Sequence, residues 1–142
     1  MSNLEDLEYL AKTIYAEAGG EPFEGQIAVA YVVTNRAKGR NLSIRSTVLQ
    51  PWQFSCWNFD TSSGRADPGL KRIATCNVES LDYLRCMGVA ALVLTKTLAD
   101  PTSGATHYHT IQKPASIAKW PPSWAEALVR TVTIGNHIFY KS

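Results

Sequence analysis

The chain has 142 residues, 45% of them apolar, enough for one compact domain over 1–142 that buries about two-thirds of its unfolded surface without a metal or disulfide. Charged residues make up 18%, and fourteen Lys or Arg stand against twelve Asp or Glu, a net charge of +2. This balance excludes the basic excess of a nucleic-acid binder and the composition of a disordered chain, while leaving room for an anionic partner.

Cys56, Cys76 and Cys86 are odd in number and show no CxxC spacing. They read as reduced, mostly buried thiols, with a Cys76–Cys86 disulfide as the alternative. The N-terminal MSNLEDLEYLAK carries acids early and lacks the apolar run of a secretory signal, so the chain is expected to be soluble and to start in a cytoplasm. The longest apolar run, IAVAYVV at 27–33, is too short for membrane insertion.

In chain order, Leu4, Leu7, Ala11, Ile14 and Ala18 recur at helical spacing and predict a helix over 4–18, ended by Gly19-Gly20. Pro22 suits the first turn of a second helix running to about Ala37, whose apolar run predicts the central buried helix. NRAKGRN at 35–41 reads as a polar exit, and 42–50 as a short helix or turn. From Pro51 to about Asn77 no period emerges, and a long ordered loop is expected. Residues 78–98 read as helix, closed by Asp100-Pro101. ATHYHT at 105–110 predicts a strand. VRTVTI, Gly135-Asn136 and HIFY predict a hairpin, with the Pro-rich QKPASIAKWPPSW between. The expected class is α+β, a helical body with a small three-stranded antiparallel sheet.

On a helical wheel Glu17 falls about 80° from Leu7, on the rim of the apolar stripe and in the last turn of the first helix. Partial burial and the negative end of the helix dipole both disfavour an ionised carboxyl there. An acid kept protonated is what glycosidic cleavage needs. Helix position alone favours a plainer reading, an exposed residue or a backbone cap. Glu21 can cap the second helix, and Glu24 suits its first turn.

The segment IYAEAGGEPFEGQIAVAYVVTNR resembles the signature of the spore cortex-lytic enzyme and cell-wall hydrolase family, the SleB/CwlJ type. The likeness continues through TVLQPWQFSCW, GATHYHT, Trp120 in the Pro-rich loop and the closing IGNHIFY, five blocks in family order over about residues 7–140. The resemblance implies a lysozyme-like fold and cleavage of the MurNAc–GlcNAc linkage of peptidoglycan strands. It implies that Glu17 is the catalytic acid of a lytic transglycosylase forming a 1,6-anhydro product, with no metal and no cofactor. The family pattern usually has Arg where this chain has Gly19, and 58–76 match nothing in the family pattern. A hydrolytic muramidase needs a second carboxylate. Glu21, Asp60 and Asp67 are the possible partners, with nothing in the sequence to set their distance from Glu17.

Gln53, Phe54 and Ser55 match the family block best and combine an aromatic face with hydrogen-bonding groups suited to sugars, although Trp52 and Phe54 also suit a core. Tyr108, pointing opposite to His107 and His109 on its strand, can orient the acid or a sugar, and Trp120 can stack on a sugar ring. His107 and His109 share a face, and His137 could join them. Three imidazoles would make a zinc-dependent amidase or peptidase, but there is no HExxH. A non-catalytic wall-binding module is the third alternative. The short, bare catalytic chain is expected to be a monomer and to resemble a phage endolysin that reaches the wall through a holin.

Overall fold

The computed structural model describes residues 4–50, 53–60, 65–66, 68–115 and 117–142. Helix α1 (Leu4–Ala18) buries Ala11, Ile14 and Ala18 of the expected stripe together with Leu10, while Leu7 is partly buried and Leu4, in the first turn, is exposed. Helix α2 (Phe23–Arg40) is the central element, with every residue from Gly25 to Val33 buried except the partly exposed Tyr31. It runs three residues past the expected end. The expected polar exit is the last helical turn, closed by Asn41 in the left-handed region at φ 54°. Ser43 caps the short helix α3 (Ile44–Leu49) by accepting from Ser46 N at 3.0 Å.

The expected long loop is largely ordered elements. A 3-10 turn (Ser55–Trp57) leads into a two-stranded antiparallel ribbon, β1 (Phe59–Asp60) and β2 (Arg65–Ala66), and then helix α4 (Pro68–Ala74). These elements are too short to show a period, and Pro68 sits at a helix start, where its missing N–H costs nothing. Ser80 caps helix α5 (Leu81–Leu94), which packs on α1 and α2.

Leu10, Ile14, Val29, Val32, Val33, Val48, Val89 and Val93 fill the centre of the helical body. Truncating one of its Leu or Ile side chains to Ala would cost about 2–5 kcal/mol. Cys56, Cys76 and Cys86 stand as free thiols, the first and last of them buried. No helix among the described residues is long and apolar enough to cross a membrane.

After α5 the chain is tied back to α2. Tyr31 Oη donates to Leu98 O, and Asn35 Nδ2 donates to Asp100 Oδ2 and to Ala105 O, both at 2.9 Å. Asp100 also accepts from Thr102 N at 2.8 Å and Gly104 N at 3.1 Å, so it organises a turn and does not merely stop the helix. The tie delivers strand β3 (His107–Thr110) to the sheet. Its partners are β4 (Val129–Ile134) and β5 (His137–Lys141), in the order β3-β5-β4, all antiparallel. Gly135 supplies the positive φ, 57°, at the first position of the β4–β5 turn.

Strand parity sorts the site. Tyr108, Phe139 and His137 share the face turned to the helices, where the Tyr108 and His137 ring centroids lie 5.0 Å apart. His107, His109 and Tyr140 share the other face, packed under Trp120 and Trp124.

Candidate active site

The end of α1 is held by side chains from two other helices. Arg72 Nη2 of α4 donates to Ala16 O at 2.7 Å. Gln26 Nε2 of α2, buried to 2% exposure, reaches Ala18 O at 3.3 Å and Gly19 O at 3.4 Å. The last carbonyls of a helix have no intrahelical donors, so these side chains supply them, and Arg72 places a cation against the dipole's negative end. Gly19 lies so near the preceding turn that a Cβ would stand 2.5 Å from Tyr15 O. This backbone therefore has no room for the Arg of the family pattern.

On this fixed helix end, Glu17 is partly exposed and opens onto a cleft of about 310 Å³ lined by Ala18, Gly20, Glu21, Thr110, Asn136 and His137. Its Oε1 accepts from the backbone amide of Cys56 at 3.2 Å. Tyr108 joins it from β3. The Tyr108 ring is partly accessible while its hydroxyl end is enclosed, and burial pushes the phenol well up, reinforced by the charge of Glu17 and a side-chain hydrogen bond to it. The phenol is therefore a proton donor at every pH of interest.

Glu21 does not cap α2. Its carboxylate crosses to the hairpin turn, where Oε1 accepts from Asn136 N at 2.9 Å and Oε2 from Asn136 Nδ2 at 3.0 Å. His137 Nδ1 stands 2.9 Å from Oε1, too far off line to count as a hydrogen bond, and the contact is ionic only when the imidazole is protonated. The His137 pKa is lowered, first by burial, with Glu21 and Glu17 opposing.

Phe54 is in the core at 2% exposure, beneath the guanidinium of Arg36 at 4.6 Å, so its ring supports the cleft wall and presents no face to a sugar. The Gln53 side chain accepts from Arg40 Nη1 at 2.6 Å. The side chain of Ser55, together with Trp52, Asp67 and the side chain of Asp60, lies outside the described residues. Trp120 is partly exposed and donates its indole N–H to Thr110 O at 3.0 Å, at the rim of the cleft.

The three histidines do not converge. His109 Nε2 pairs with Tyr140 Oη at 2.8 Å and His107 Nδ1 with Thr106 Oγ1 at 2.9 Å, on the face away from His137. The alternative in which His137 joins the other two at a zinc fails on strand parity.

Arg36, Gln26, Arg72 and Asn136 were not singled out by the sequence. Arg36 carried a usable signal, since it falls seven residues after Val29 on the buried stripe, where a charge is unusual. A larger cleft, about 610 Å³, lies toward the other end of α1, near Glu5 and Asp6. Asp100 in that cleft is already committed to the turn it organises.

The family model described as Cell Wall Hydrolase matches residues 20–140, beginning just after Glu17. The spore cortex-lytic enzyme of Halalkalibacterium halodurans is 26% identical over 94% of this chain, and that of Bacillus cereus 26% over 96%. The chain spans 34% and 44% of their respective lengths. Two solved structures share the fold. The catalytic domain of the germination-specific lytic transglycosylase SleB from Bacillus anthracis has a TM-score of 0.69 at 23% identity, covering 99% of this chain and 97% of that one. The Bacillus cereus SleB catalytic domain has a TM-score of 0.71 at 21% identity, covering 99% and 93%.

Proposed function

The chain belongs to the cell wall hydrolase family, and from that premise we propose that it is a peptidoglycan lytic transglycosylase in which Glu17 serves as acid and then base. The observation that carries this reading is the commitment of Glu21, which is bound through both oxygens to one residue of the hairpin turn. The other carboxyl lining the cleft, Glu17, stands on a fixed helix end with the Cys56 amide on it and a phenol beside it.

A hydrolase of the usual kind needs two working carboxyl groups, one to protonate the leaving oxygen and one to act as nucleophile or to activate water. A transglycosylase needs one. Protonated Glu17 gives its proton to the glycosidic oxygen as the bond from MurNAc C1 breaks. The carboxylate so formed takes the proton of the MurNAc C6 hydroxyl as that oxygen bonds to C1. The products are a 1,6-anhydro end and a free GlcNAc hydroxyl, and no water is consumed. The amide of Cys56 and the hydroxyl of Tyr108 receive the carboxylate between the two proton transfers. Gln53 and Trp120 are the candidate sugar contacts on the rims.

The test is Glu17→Gln assayed on a peptidoglycan suspension, with mass spectrometry of the released muropeptides. We expect the variant to lose at least about 10²-fold in rate. Anhydro-MurNAc ends from the native chain support the proposal. Reducing ends would replace it with hydrolysis, and full activity of Glu17→Gln would remove Glu17 from the chemistry.

A further inference from the structure

Arg36 lies inside the protein at 7% exposure. Its Nη1 donates to Gln53 O at 2.9 Å, its Nε donates to Thr106 O at 3.0 Å, and Nη2 also reaches Thr106 O. No carboxylate among the described residues forms a salt bridge with it. A buried cation held by backbone carbonyls and the face of the Phe54 ring, with no carboxylate partner among the described residues, is costly, and a fold that needed mere packing would place an apolar residue there.

The two carbonyls lie at informative positions. Three residues after Gln53 comes Cys56, whose amide donates to Glu17. Two residues after Thr106 comes Tyr108, whose phenol lies near enough to Glu17 to feel its charge. The planar fork of one guanidinium thus spans the two segments that flank Glu17.

We infer that Arg36 is a positioning residue, whose fork fixes the segment carrying the Cys56 amide and the strand carrying Tyr108 in place around Glu17. This inference rests on the reading of Glu17 as the acid. Burial pulls the guanidinium down to about 10, with Tyr108 and Glu17 pulling upward and Arg40 downward, so it stays charged at neutral pH. The other titratable or charged groups around the acid are Cys56 from the loop after α3, Tyr108 from β3, His137 from β5 and Glu21 from the α1–α2 turn. Arg72 of α4 holds the carbonyl of Ala16. His107 lies close enough to feel Arg36 and Arg40, which lower its pKa after burial does.

The experiment compares native chain, Glu17→Gln, Arg36→Met and Arg36→Lys on purified glycan strands, reading kcat and KM, with circular dichroism to check folding. Arg36→Met is expected to lower kcat on the order of 10²-fold with little change in KM. Arg36→Lys keeps the charge but not the fork, so kcat falls on the order of tenfold, again with little change in KM. A folded Arg36→Met with native kcat overturns the inference, as does one whose loss lies in KM. If Arg36→Met does not fold, Arg36→Lys decides: native kcat overturns the inference, and reduced kcat at a native KM supports it. An active Glu17→Gln overturns the functional reading together with this inference, whereas an inactive Glu17→Gln beside native-like Arg36 variants overturns this inference alone.

Discussion

The carboxylate of Glu21 grips Asn136 at two points, accepting its backbone amide at 2.9 Å and its side-chain amide at 3.0 Å across a separation of 115 residues. This grip joins the turn after α1 to the turn between β4 and β5, the two edges of the cleft. It leaves little room for error, because a Cβ on Gly135 would stand only 3.1 Å from Glu21 Oε1.

Glu21→Gln keeps one oxygen for Asn136 N–H and sets its NH₂ opposite the Asn136 side chain, whose amide must turn over to accept it, so two charge-assisted hydrogen bonds become neutral ones. The expected loss of stability is about 1–3 kcal/mol, read from denaturant unfolding. Activity should fall with it but survive, because Glu21 holds the cleft edge and does not act on the sugar. Abolished activity in a fully folded Glu21→Gln would show that Glu21 works as a second carboxylate.

Tyr108→Phe removes the hydroxyl and keeps the ring that packs 5.7 Å from Phe139 and 5.0 Å from His137. Stability should change little, since the ring accounts for most of the buried contact. The rate should fall roughly tenfold, the worth of about one hydrogen bond to a charged group. Steady-state kinetics with folding monitored in parallel would check this, and a native rate would restrict Tyr108 to packing.

Stability should decline as the medium is acidified below about pH 6.5, the ordinary value for histidine. The pKa of His137 and that of His107 are both lowered in the fold, His137 first by burial and His107 first by burial and then by Arg36 and Arg40. The unfolded chain therefore binds more protons in that range, and stability is fully present above the unfolded value and lost as pH falls toward the folded one. Urea midpoints between pH 5 and 7.5 should show this slope, and His137→Gln should flatten it. An unchanged slope in the variant would place the dependence elsewhere.

The helical body was legible because its signals are local. The stripe through Ala11, Ile14 and Ala18, the buried run of α2 and the turn at Gly135-Asn136 each follow from spacing within a few residues. Glu17 on the rim of its stripe was equally legible, and the family blocks singled it out. The ribbon and α4 within 53–74 were not, since elements of two to seven residues carry no period. Sequence leaves Phe54 between a sugar contact and the core, and Glu21 between a helix cap and a second carboxylate, because neighbours along the chain say nothing about a guanidinium from α2 or an amide 115 residues away.

The sequence by itself therefore determined the main helices, the closing hairpin, the class and the place of Glu17 on its helix, which depend on short-range periodicity and capping. Only the tertiary structure decided what surrounds Glu17. The Cys56 amide and the Tyr108 phenol reach it from segments that the Arg36 fork ties together, through contacts distant in sequence. Strand parity, set by the pairing of β3 with β5, sends His137 to the side of Glu17 and His107 and His109 to the other.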